Sequence, residues 1–178
     1  MKAWHFVGKT LRDGRPIPPD GEWLKHDGEL VMCESGLHAS ERIIDALNYA
    51  PGYTICRVEV DGEILHDDDK LVASKRKILW RIDGKQVWSA FARWWALQVV
   101  HLWSPPDVVV EYLKSGSEDL RAAARDAAWA AARDAAWAAA WAAAWAAARD
   151  AQEKQLVAMI NEARDGKATW IFELPEVE

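Results

Sequence analysis

The spacing of apolar positions along the chain changes near residue 85. Before it, apolar residues fall in short or alternating runs between turn signals, as in strands. Lys2 to Val7 is a β-prone run, and Asp13-Gly14, Pro16, Pro18, Pro19 and Asp20-Gly21 mark the loop after it. Glu29 to Cys33 is a second apolar run. Ser40 suits the cap of a helix over Glu41 to Tyr49, where Ile43, Ile44, Leu47 and Tyr49 form a stripe that Pro51-Gly52 ends. Tyr53 to Val60 alternates as a strand does, with Asp61-Gly62 as its turn. Lys70 to Ser74 and Lys77 to Ile82 predict two more strands, closed by Asp83-Gly84.

After residue 85 the period is helical. Val87, Phe91, Trp94, Trp95, Gln98, Val99 and Leu102 place one helix over Val87 to Trp103. Ser104-Pro105-Pro106-Asp107 predicts a helix start, because Pro fits the first turn and Asp the positive end of the helix dipole. Gly116 ends that helix, and Ser117-Glu118-Asp119 opens the next. From Arg121 a four-residue Ala/Trp/Arg repeat puts Arg121, Arg125, Trp129, Arg133, Trp137, Trp141, Trp145 and Arg149 on one row. Alanine has the highest helix propensity, so the pattern predicts one long helix from about Ser117 to Asp165. Ala168 to Leu174 reads as a final strand.

Much of the apolar content is alanine, so the large core-forming residues lie mostly before residue 115. The net charge of −6 argues against a general nucleic-acid-coating field. No charged-then-apolar leader and no apolar run of membrane-spanning length occurs, which predicts a soluble, cytoplasmic protein with reduced thiols.

Several residues are candidates for chemistry. His38, between Gly36 and Ser40, would stand at a turn opening a helix, where free N–H groups suit an anion. His5 beside Trp4 could hold a nucleotide base, or the pair could be core aromatics. His5, Gly36, His38, Ser40 and Tyr49 therefore form the candidate ligand site, with a nucleotide as candidate ligand. Cys33, His38, Cys56 and His66 fit no common zinc spacing, and neither metal nor cofactor is expected. Asp67-Asp68-Asp69 reads as a solvated turn, and Lys75-Arg76-Lys77 as an exposed strand edge. Arg125, Trp129, Arg133, Trp137, Trp141 and Trp145 are the candidate partner-binding row. Such a row usually buries against another helix, so self-association or a protein partner is expected. Base stacking is the alternative, which Asp126, Asp134 and Asp150 count against.

The segment CESGLHASERIIDALNYAPGYTICRVEVDGEI, followed by DDDKLVASKRKILW, resembles an uncharacterised domain of phage and bacterial accessory proteins. The later HLWSPPDVVVEYLKSGSEDLRAAARDAAWAAARDAAW resembles the Ala/Trp-repeat tails of some relatives. That resemblance implies an accessory or anti-defence role, including sequestration of a nucleotide signal. Trp4-His5, Gly36-Leu37-His38-Ala39 and the run from Ala46 to the strand at Tyr53 are also similar to the ADP-ribosyltransferase fold. There His38 stands where a Tyr is usual, and Glu173 is the sole candidate for that fold's late-strand acid.

The expected fold is α+β: a small, mainly antiparallel sheet with packed helices and a long C-terminal Ala/Trp-rich helix. The expected parts are a binding domain at 1–84, a helical connector at 85–116, the repeat helix at 117–166 and a strand and tail at 167–178. The expected function is non-enzymatic binding, with assembly through the C-terminal helix. An NAD-using transferase and a nucleic-acid-binding tail are the alternatives.

Overall fold

The computed structural model describes residues 1–131 and 148–175, apart from the side chains of 129–131. The described chain is α+β, with a five-stranded antiparallel sheet and separate helices. It forms two compact units, Met1–Lys85 and Gln86–Glu178.

A long hairpin organises the first unit. Its arms are β4 (Thr54–His66) and β5 (Leu71–Asp83). β1 (Lys2–Val7) pairs with β4, while β2 (Trp23–Lys25) and β3 (Leu37–Ala39) pair with the far edge of β5. Trp4 and Ser40 then exchange two backbone hydrogen bonds, of 2.7 and 2.9 Å, which bring the end of β3 onto β1. The pairings thus run round a ring: β1, β4, β5, β3 and back to β1. One face of the sheet packs Ala3, Val7, Ala39, Cys56, Val58, Val60, Leu71, Ala73 and Ile78 into a core, with Ile17 and Ile64 against it. Elsewhere in the sheet Trp4, Arg57 and Trp80 lie in cross-strand register. The Arg57 guanidinium sits 4.4 Å from the Trp4 ring, and the two indoles meet edge to face at 5.8 Å.

Several local expectations are corrected. Asp61-Gly62 is a register shift within the hairpin, not its turn; the turn is Asp67–Lys70, where Asp67 N–H donates to the Lys70 carbonyl. The two strands expected over 70–82 are the single β5. Glu29–Cys33 forms no strand, only an isolated bridge from Val31 to Ser35. The helix expected from Glu41 is one short turn, α1 (Ile43–Ala46), continued by a 3-10 turn at Leu47–Tyr49. Arg42, not Ser40, precedes it, in extended conformation and without a side-chain cap. Ser40 cannot cap that helix because its backbone is committed to Trp4.

In the second unit α2 spans Lys85–Gln98 and gives way to a 3-10 turn at Val100–Leu102, short of the expected helix end at Trp103. α3 (Asp107–Ser115) starts where Pro106-Asp107 predicts and ends at Gly116 in the left-handed conformation (φ 67°). The buried Arg93 of α2 donates to the Leu113 and Lys114 carbonyls at 3.0 and 3.3 Å, placing a cation on the negative end of α3. Its other arm donates to the Trp170 carbonyl at 3.0 Å. The segment expected as a strand at Ala168–Leu174 is irregular. A lone β-prone run needs a partner edge, and here Phe172 N–H donates only to the Lys114 carbonyl. Trp170 is buried, with its indole N–H donating to Glu162 at 2.5 Å.

α4 (Glu118–Ala131) and α5 (Arg149–Arg164) come from the span expected as one helix. Ala148 precedes α5 in a non-helical conformation (φ −106°, ψ 14°). Of the Trp/Arg row, Arg125 is exposed and ion-paired with Asp126 at 3.1 Å, and Trp129 belongs to α4. Arg133, Trp137, Trp141 and Trp145 lie outside the described residues.

Gly116 tests the Arg93 junction. A Cβ there would stand 2.5 Å from the Arg93 guanidinium carbon, on backbone that L-residues disfavour. Gly116→Ala should cost about 1–3 kcal/mol. Chemical denaturation of the full chain, followed by Trp fluorescence, measures it; an unchanged midpoint would show that Arg93 is not held there.

Candidate functional site

Of the residues singled out from sequence, His5, Gly36, His38 and Ser40 lie on or beside the strands of the ring, and Tyr49 lies apart from them. His5 lies on β1 opposite Cys56 of β4, half-buried. Its ring has no hydrogen-bond partner among the described residues. Burial, then the nearby charges of Arg76 and His38, hold its pKa well below the ordinary imidazole value. His5 is therefore a neutral imidazole at neutral pH.

His38 lies on β3, paired with Val72 of β5, and so not on a turn opening a helix. Its ring serves the preceding loop. Cys33 N–H donates to Nε2 at 2.9 Å, and the Gly36 backbone also hydrogen-bonds the ring. Cys33 holds a left-handed conformation (φ 67°), and its carbonyl accepts from Arg12 at 3.0 Å. Burial is the largest influence on the His38 pKa. The charges of Arg76, Arg12 and Lys70 add to it, the Gly36 bond opposes it, and the net shift is downward. Gly36 is needed for its backbone: at φ 113°, a Cβ would run into Val72 and stand 2.8 Å from Leu30. Ser40 is buried, and contributes its main chain to the closure of the ring.

Tyr49, at the end of the 3-10 turn, is half exposed and is bonded to the hairpin turn. Its hydroxyl donates to Asp69 at 2.6 Å and accepts from Lys70 at 3.2 Å, with the Lys70 ammonium 5.1 Å from the ring. It connects to His38 only through the charge of Lys70.

Arg76 is the central residue, and reading Lys75-Arg76-Lys77 as an exposed edge missed it. In a strand the middle of three basic residues points away from its neighbours. Lys77 pairs with Glu59 at 2.7 Å and lies over the Trp23 ring, whereas Arg76 is only 6 % exposed. Its Nη1 donates to the His38 carbonyl. Among the described residues no carboxylate pairs with it, and Nε and Nη2 have no acceptor. Burial lowers its pKa to about 10, slightly opposed by Cys56, whose own thiol burial pushes up to about 11. Period-two alternation within β5 was the sequence signal that could have found it.

The cysteines are free, Cys33 exposed and Cys56 buried. His66 reaches Glu41 at 3.2 Å. Among the described residues no cluster of three or more His, Cys, Asp or Glu side chains could hold a metal, and no helix is long and apolar enough to cross a membrane.

The fold and the site thus define a small antiparallel α+β domain built round a buried arginine. Residues 1–90 match the family model described as "Domain of unknown function (DUF7666)", and the chain belongs to that family. No curated protein and no solved structure matches it.

Both histidines bind protons more weakly in the folded chain than in the unfolded one, where their pKa is about 6.5. The unfolded state therefore takes up protons first as pH falls. Stability is full above about pH 6.5 and is lost progressively below it, down to the folded pKa values. The melting temperature should fall from pH 7.5 to 5.5, and a His5→Gln, His38→Gln double variant should flatten that slope. An equally steep slope in the variant would place its origin elsewhere.

Proposed function

We propose that the chain is a non-enzymatic binding protein. Its N-terminal unit holds a small anionic ligand, a nucleotide being the leading class, and its Ala/Trp-rich segment assembles copies or docks on a partner. That combination suits a phage or prophage accessory protein, including an anti-defence protein that sequesters a nucleotide signal. The observation that carries the ligand reading is Arg76. A buried guanidinium with no acidic partner among the described residues costs folding free energy, and that cost is understandable if a ligand supplies the missing charge. His5 beside it, without a hydrogen-bond partner among the described residues, adds a second polar group to the same place.

The transferase alternative needs a late acidic residue on a strand. Glu173 is exposed in an irregular segment, with Lys114 3.7 Å away, which favours binding over turnover. The cytoplasm fits a protein of this kind.

A thermal-shift series on the full chain tests the reading, because a ligand of the folded state raises the melting temperature. Nucleotides should raise it and the corresponding nucleosides should not, with no nicotinamide released from NAD. A panel without any shift would sink the reading. So would nicotinamide release that Glu173→Gln abolishes.

Assembly is tested separately by sedimentation. Each buried Trp removes ~200 Å² from water, worth several kcal/mol at ~25 cal/mol per Å². Changing Trp137, Trp141 and Trp145 together to Ala should therefore abolish association. Wild type and variant sedimenting as identical monomers would remove the assembly role.

A further inference from the structure

The chemical class of the bound group follows from the donors that the ring leaves unused. This step rests on the ligand-binding reading above and adds what the ligand carries and how protons govern it. We infer that Arg76 and His5 together receive a tetrahedral dianion, the phosphoryl group of the ligand, and that His5 takes up a proton when that group binds.

The geometry comes first. Arg76 enters from β5 and is fixed at one end by the His38 carbonyl of β3. That single bond uses Nη1 and leaves Nε and Nη2 without acceptors among the described residues. Those two nitrogens form one edge of the guanidinium fork, which matches two oxygens of a phosphate or carboxylate. His5 approaches from β1, where it lies between the core residues Ala3 and Val7 and opposite Cys56 of β4. His5 is less deeply buried than Arg76, which is almost wholly enclosed.

Charge then selects the class. The titratable and charged groups acting on His5 are Arg76 from β5 and His38 from β3, with Cys56 opposite it on β4. Arg81 and Asp20 act on Cys56 behind it. Arg76 is a cation at neutral pH, and His5 is neutral because burial first, and then the Arg76 charge, disfavour its protonated form. An incoming dianion reverses the sign of the local field. The imidazole is then favoured in its protonated form, and Arg76 with protonated His5 balances two negative charges. A monoanionic carboxylate would be matched by Arg76 alone and would leave His5 neutral.

Sulfate is the probe that isolates this effect, because it stays a dianion throughout pH 5.5–8, where phosphate itself titrates. Isothermal titration of the full chain should show sulfate and phosphate binding far more tightly than acetate. Sulfate affinity should rise as pH falls, by up to about tenfold per unit where one proton is taken up. His5→Gln should still bind sulfate, with an affinity independent of pH, and His5 ring NMR shifts in the wild type should report protonation on saturation. Arg76→Lys, which keeps the charge but loses the fork, should bind at least tenfold more weakly. A pH-independent wild-type affinity, or a slope surviving in His5→Gln, would overturn the proton coupling while leaving ligand binding intact. Acetate binding as well as sulfate would overturn the phosphoryl assignment. No binding of any of the three anions, with nucleotides still raising the melting temperature, would move the ligand site away from Arg76.

Discussion

Two backbone hydrogen bonds, Trp4 N–H to the Ser40 carbonyl and Ser40 N–H to the Trp4 carbonyl, turn an open sheet into a ring. The remaining architecture of the N-terminal unit depends on them. The β4–β5 hairpin supplies two long strands, but without the closure β3 would hang from the edge of β5 by three residues. With it, the His38 carbonyl is held where Arg76 can reach it. The chain meets the requirement locally: Gly36 lets the backbone pass close to Val72 and Leu30, and the His38 ring accepts the N–H of Cys33 to fasten the loop before β3.

A buried arginine has opposite meanings in the two units. Arg93 donates to the Leu113, Lys114 and Trp170 carbonyls and lies over the Phe172 ring at 5.1 Å, so it caps a helix and ties down the C-terminal segment. Arg76 has one acceptor, no acidic partner among the described residues and a neutral histidine beside it. The first is a satisfied structural cation; the second has donors to spare. An almost wholly buried cation that keeps donors unused by the described protein is the better pointer to function.

The legible parts of the sequence were those governed by local rules. Lys2–Val7 is β-prone along its own length, and Pro106-Asp107 to Gly116 carries both ends of a helix, so both elements stand where local signals put them. The ring closure was not legible, because the pairing of Trp4 with Ser40 is long-range and β3 is a three-residue strand that reads as a turn after Gly36. That error carried Ser40 into a helix cap and His38 onto a helix start. Arg76 was hidden for a different reason. Three consecutive basic residues look like a solvated edge until the strand's alternation is applied to them, and then the middle one must face inward. Ala168 to Leu174 shows the converse: β-branched and aromatic residues make no strand where the backbone has one isolated bond, from Phe172 N–H to the Lys114 carbonyl.

The central claim is that Arg76 is retained for a ligand and not for the fold. Arg76→Met separates the two most directly, since Met fills similar volume without a charge to desolvate, and removing a buried charge in this way is often neutral or stabilising. Equilibrium denaturation of the full chain without ligand should give a variant at least as stable as the wild type. A variant destabilised by several kcal/mol would contradict the account and make Arg76 a structural residue.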